Sequence, residues 1–288
     1  MSKVKIVSDS ACDLSLDILK QLNIETIPAR VVFGDTSYSD YDLSREEFYQ
    51  RLAQGEMPST GVPAPKVFKN TFENALKESD EVIVFTLSKK LSGIYSTANV
   101  VASNLFDDRI TILDTEAATL QSGLIVYLVA KKAQEGYSKD ELLSYFYEKI
   151  LPYSQLFAIV DSLKYLKKGG RINTIRWLFG SLLSVKPFIH IENGLLSSPG
   201  KVRGRQNALD ILKKVAVKAL NERKLDTFII GHANDLIRAQ ELKDLILELS
   251  NTPSEILLLE IGPVVGSHTG PKAIGISWLG EFDKKWLK

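Results

Sequence analysis

The sequence predicts an α/β protein of two domains. The first is built on a mostly parallel sheet flanked by helices, the second on a mixed sheet with an antiparallel hairpin and helices. Three observations lead there. Through the first half, short β-branched runs alternate with stretches of helical periodicity, the pattern of a parallel sheet covered on both faces. Past Pro152, Asn193-Gly194 stands between two apolar runs, which is a strong hairpin signal and demands antiparallel pairing. A chain of 288 residues is also long for a single core. The expected division is 1–154 and 155–288.

In order, residues 4–7 form a buried strand ending in Ser8-Asp9-Ser10, and a helix follows over 16–22. Residues 24–33 read as a strand segment interrupted by Pro28. Ser44 and Glu47 form a capping box for a helix over 45–54. An irregular loop over 57–64 precedes Pro65, which suits the first turn of a helix running to about Lys77. Residues 81–85 are a fully buried strand, and the Ser/Gly-rich turn after it opens a helix marked by Ile94, Thr97, Ala98, Val101 and Leu105. Ser92 stands near the N-cap, and Gly93 lets the backbone approach a ligand closely. A helix start of this kind offers free N–H groups and partial positive charge. A strand over 109–113, a helix over 120–134 and a helix opened by a Ser138/Glu141 capping box complete the first half; the last ends near Ile150.

The second half restarts with a strand over 157–160. Asp161-Ser162 caps a helix over 163–168, which Gly169-Gly170 stops. Strands over 187–192 and 195–197 flank the Asn-Gly turn. A helix over 208–223, a strand over 227–231, a helix over 236–249 and strands over 255–261 and 273–278 follow. There is no internal repeat.

The composition excludes several function classes. A net charge of +1 gives no general attraction to nucleic acid or to anionic membranes. Cys12 is the single cysteine, so no internal disulfide can form and a reducing, cytoplasmic compartment is expected. No apolar stretch approaches the length of a membrane span. Nucleophile elbow, Walker loop, dinucleotide fingerprint and zinc-protease motif are all missing. His190, His232 and His268 lack ligand spacing, so neither a metal nor a cofactor is expected. His190 and His232 read as structural. His268 lies in 262–271, a stretch with three glycines and two prolines that reads as a rigid loop.

Four stretches together resemble the DegV family of bacterial fatty-acid-binding proteins. They are Val7-Ser8-Asp9-Ser10 with Asp13, Leu91-Ser92-Gly93-Ile94-Tyr95, Leu166-Lys167-Lys168-Gly169-Gly170-Arg171-Ile172, and His268-Thr269-Gly270-Pro271. The resemblance covers essentially the whole chain. It implies a protein without chemistry of its own that holds one long-chain fatty acid, such as palmitate, between its domains. It also implies a partner, a fatty acid kinase that phosphorylates the presented carboxylate. Thr60 and Ser92 correspond to the carboxylate-binding hydroxyls and His268 to the histidine beside them, with Gly61, Gly93 and Thr269 adjoining. Arg171, Arg203 and Arg205 correspond to basic residues at the mouth facing the kinase. Two positions depart from the family pattern. Gly61-Val62-Pro63 stands where Ser-Gln-Pro is usual, and Lys272 stands where a glycine is usual.

These residue types suit that task. Removing a C16 tail from water is worth roughly 12 kcal/mol gross at about 0.8 kcal/mol per CH₂, much of it offset by association costs. The carboxylate needs donors, because an unpaired buried anion costs several kcal/mol or becomes protonated. Leu124, Trp177, Phe179 and Leu183 are candidates for the tail's lining. The alternative is an acyl hydrolase using Ser92 and His268, which would need an acid to orient His268.

Overall fold

The computed structural model describes residues 3–172, 175, 185–251 and 254–287. Buried β1 (Val4–Asp9) leads through Ser10–Cys12, a single 3₁₀ turn, into α1 (Leu16–Gln21), capped by Ser15. β2 (Glu25–Ile27) and β3 (Arg30–Phe33) follow on either side of Pro28. The segment expected as one interrupted strand therefore serves two sheets. β2 pairs with β1, whereas β3 forms a small antiparallel sheet with β4 (Thr36–Ser39) and β5 (Ser59–Gly61). Pro28 offers no N–H to a ladder, which favours the break there. β5 lies inside the stretch expected to be an irregular loop. Three residues on a sheet edge leave no periodicity to detect.

α2 (Arg45–Ala53) opens with Ser44 Oγ accepting from the Glu47 N–H, without the reciprocal bond that completes a capping box. α3 (Pro65–Glu78) has its proline in the first turn. β6 (Glu81–Thr86), α4 (Ile94–Leu105), β7 (Ile110–Asp114) and α5 (Thr119–Gln134) complete the alternation. The parallel sheet has the order β2-β1-β6-β7. α6 (Lys139–Tyr145) carries both halves of its capping box and passes into a π-helical turn over Phe146–Ile150.

The mixed sheet begins with β8 (Ser154–Ile159), followed by α7 (Lys164–Lys168), β9 (Val185–Glu192), β10 (Leu195–Ser197) and β11 (Lys201–Arg203). Asn193 and Gly194 both have positive φ, as the primed turn of a two-residue hairpin requires. α8 (Arg205–Glu222), β12 (Thr227–His232), α9 (Leu236–Leu249), β13 (Glu255–Glu260), α10 (Pro263–Thr269) and β14 (Ile274–Leu279) complete the chain. The strand order is β10-β9-β8-β14-β12-β13, with β11 also on β9.

α10 corrects the expectation of a loop around His268. Its high Gly and Pro content disguises a helix. Pro263 occupies the first turn, Gly270 ends it at φ 70°, and a Cβ on Gly266 would stand 2.6 Å from the Phe48 ring. Lys272 follows at φ 63°, a left-handed conformation that favours glycine.

β8 alternates cleanly. Phe157 and Ile159 join a hydrophobic cluster beneath α8 and α9, while Leu156 and Val160 face the larger cluster shared with the parallel sheet. α5 lies between the sheets, touching β1 on one side and β8, β12 and β14 on the other. Twelve of its residues are buried, including Leu124. Its middle, 123–130, is apolar on every side because sheets cover it on both faces, while Lys131, Lys132 and Gln134 at its end reach solvent.

Candidate functional site

Loops at the carboxyl ends of parallel strands collect on one side of an open α/β sheet, where ligands bind. Here the turns after β1, β6 and β7 meet β5, α7 and α10 there, and a cavity opens between them and the mixed sheet. Its space is about 1150 Å³, the open solvent at its mouth included. One end is polar, with Thr60, Ser92, Arg171, His268 and Thr269. The body is apolar, with Leu156, Val160, Ile189, Ile191 and Leu196 among its walls. Ala158 pairs with Gly275 on one side and Ile189 on the other, so two small residues leave a hollow in the sheet's inner face.

Three buried carboxylates hold the loops around this cavity. Asp9 accepts from the N–H groups of Leu87 (2.6 Å) and Ala11 (2.9 Å). Asp13 accepts from the Thr119 hydroxyl (2.7 Å) and the Gly262 N–H (2.8 Å). Asp40 accepts from the Val264 N–H (3.0 Å) in the first turn of α10. Burial pushes Asp9 and Asp13 up to about 7 and Asp40 to about 6, against the lowering effect of these donors. Asp13 and Thr119 both have positive φ, an unusual state for a β-branched residue. Their mutual bond fixes that strain at the start of α5.

At the polar end, His268 Nε2 lies 2.9 Å from Thr60 Oγ1. Nδ1 is buried and has no hydrogen-bond partner. We place the ring proton on Nε2, because an orphaned N–H is rarer in protein interiors than an under-used acceptor. Thr60 Oγ1 then accepts from the imidazole, and its own proton is free for a ligand. Burial, with the Arg171 charge second, pushes His268 down to about 4, so the ring is neutral near pH 7.

Gly93 is the N-cap of α4, and Ser92 just precedes the cap; its Oγ accepts from the Ile94 N–H at 3.3 Å. Arg171 donates through Nε to Leu91 O (3.0 Å) and through Nη1 to Gly169 O (2.6 Å), tying the end of α7 to the turn that carries Ser92. It is the single charged residue in the cavity wall among the described residues, His268 being neutral. The hairpin tip reaches the same turn, with Ser88 Oγ donating to Gly194 O at 2.7 Å.

Thr60, Gly61, Ser92, His268, Thr269 and Arg171 thus line one cavity. Gly93 does not line it; its Cα faces Val62, whose Cγ2 would lie 3.4 Å from an added Cβ. Arg203 and Arg205 stand apart from the wall. Arg205, in the first turn of α8, pairs with Asp161 (3.3 Å) and Asp235. Leu124 lies in the core of α5, and Trp177, Phe179 and Leu183 lie outside the described residues. His190 is buried with Nδ1 donating to Leu156 O, and His232 Nδ1 accepts from the Asp235 N–H; both are structural. No group of three or more His, Cys, Asp or Glu side chains suited to a metal occurs among the described residues. The part of Asp40 was not legible in the sequence, since neither periodicity nor a motif marks it.

Residues 3–281 match the family model described as uncharacterised protein, DegV family. A DegV domain-containing protein of Caldanaerobacter subterraneus subsp. tengcongensis is 34% identical over 282 residues, 96% of this chain and 98% of its own. Among solved structures, a DegV family protein from Thermus thermophilus, described for its fatty acid binding, superposes with a TM-score of 0.88 at 29% identity. That match covers 97% of this chain and all (100%) of the other. A stearic acid-binding protein from Eubacterium ventriosum superposes at 0.83 with 28% identity, covering 96% and 98%.

Proposed function

The chain belongs to the DegV family, and from that premise we propose that it binds one long-chain fatty acid in the cavity between its sheets and presents the carboxylate to a separate kinase. The observation that carries the reading is the division of the cavity. An apolar body suits an acyl chain, and one end gathers the hydroxyls of Thr60, Ser92 and Thr269, a neutral histidine and a guanidinium. Thr60 O–H, Ser92 O–H and the Arg171 charge supply donors, with Gly61 and Thr269 beside them in the wall. A carboxylate so held keeps an oxygen lone pair for attack on a phosphoryl group. The relatives' fatty acid binding agrees with this ligand class. An acyl hydrolase finds no support, because Nδ1 of His268 meets no acid that would orient it.

Ser92→Ala removes one donor to a charged group. A loss of about 1.5–3 kcal/mol in fatty acid affinity is expected, roughly 10- to 150-fold. Titration with a fluorescent long-chain fatty acid measures it, alongside mass spectrometry of lipid released from denatured protein. Unchanged affinity in a folded variant removes Ser92 from the site. No lipid and no binding in the parent chain would end the reading itself.

The kinase contact rests on Arg203, which is exposed and makes no ion pair with a described residue, whereas Arg205 is engaged. Arg203→Glu should leave lipid affinity intact and slow formation of acyl phosphate by a cognate kinase about tenfold, as for loss of a charged rim contact. Equal turnover of variant and parent at subsaturating protein speaks against docking through this residue.

A further inference from the structure

The two adjacent glycines after α7 differ in kind. Gly170 has φ 73° with open space where a Cβ would stand, so it is the residue that turns the chain. Gly169 has φ −73° and ψ −7°, a conformation open to any amino acid. Its reason is space. A Cβ built there would stand 2.0 Å from His268 Nδ1, 2.6 Å from Cε1 and 3.2 Å from Cγ.

We propose that Gly169 is a positioning residue for His268, its bare Cα forming the floor on which the imidazole lies with Nε2 aimed at Thr60. This rests on the reading of the cavity's polar end as a carboxylate site. Nothing bonds the far side of the ring, since Nδ1 has no partner, so packing rather than a hydrogen bond fixes its angle. The floor is itself anchored. Arg171 holds the Gly169 carbonyl at 2.6 Å and the Leu91 carbonyl at 3.0 Å, which sets the height of the ring relative to the Ser92 turn. Gly169, Arg171, His268 and Thr60 are thus one chain of contacts from α7 to β5. The depressed titration of His268 fits a ring pressed against this floor and away from water.

The test compares the parent with Gly169→Ala, His268→Ala and the double variant. A fluorescent long-chain fatty acid is the binding probe, and the His268 ring titration is followed by NMR. Gly169→Ala should lose about tenfold or more in affinity, the scale of one charged hydrogen bond. Its His268 should titrate closer to the ordinary 6.5. In the His268→Ala background the same change should cost less than about twofold, because residues that act through one another are not additive. Additive losses, or an unmoved ring titration, overturn the proposal. If Gly169→Ala does not fold while the double variant does, the clash with the ring is demonstrated; if neither folds, Gly169 serves the turn and the proposal is wrong. Should the parent bind no fatty acid, the carboxylate reading fails, and the ring titration still decides the positioning role.

Discussion

Ala158→Phe should abolish high-affinity binding of C16–C18 acids while leaving the fold intact. Ala158 sits midway along β8 on the face that lines the cavity, flanked in register by Gly275 and Ile189. A phenyl ring there would fill the hollow that the two small residues create. If it displaces about four methylenes of the tail, the loss is about 3 kcal/mol at ~0.8 kcal/mol each, or more than ~100-fold. Shorter acids should lose less, because the polar end is untouched. Stability should hold or rise slightly, since the ring occupies space and forces no overpacking. Affinities across a chain-length series, read beside thermal unfolding, check this. A uniform loss over all lengths would mean that the ring disturbs the head-group end and that the tail does not run past Ala158.

Removing Asp13 should give the largest loss of stability. Asp13→Ala would strand the Gly262 N–H and the Thr119 hydroxyl in the interior at about 1–3 kcal/mol each. It would also free Thr119 from the bond that holds its left-handed backbone. Asp13→Asn should cost much less, because the amide oxygen can accept from Gly262 and its NH₂ can donate to Thr119.

The Asn variant also isolates a pH effect. Asp13 titrates at about 7 when folded, well above the ordinary 3.8. Between those values the folded state holds more protons than the unfolded one. The corresponding stability is present at low pH and is lost as pH rises through 7. His268 acts in the opposite sense, but only below its unfolded 6.5, where it loses stability as pH falls toward 4. From about pH 6.5 to 8 the carboxylates therefore dominate. Urea unfolding should show stability falling across that window less steeply in Asp13→Asn than in the parent. Identical slopes would mean that Asp13 is ionised throughout.

Much of this architecture was legible because it rests on local signals. The extent of α9, the primed Asn193-Gly194 turn and the capping box of α6 follow from short-range chemistry. The family resemblance led to Thr60, Ser92, Arg171 and His268, which the fold gathers around one cavity. What remained hidden depends on distant partners. α10 was masked by glycines whose purpose is close packing against Phe48 and Tyr165. Arg205, expected at a mouth facing the kinase, is instead engaged by Asp161 and Asp235 from other loops. The cavity's apolar wall includes alternate residues of β8, on which Leu156 faces the cavity and Phe157 and Ile159 face a second buried cluster, so no pattern in sequence separates lining from core there.

β14, which follows β8 and β12 in the chain, is not at an edge but lies between them. Until it emerges, two long apolar strands each lack a neighbour, and α5 has only half of its covering. A growing chain must therefore carry this unfinished interior in water for seconds to tens of seconds at ordinary rates of synthesis, a period in which unpaired strand edges invite aggregation. Truncation before Leu279 would remove β14 in whole or in part, and the cavity would lose the part of its wall that Ile274 and Gly275 supply.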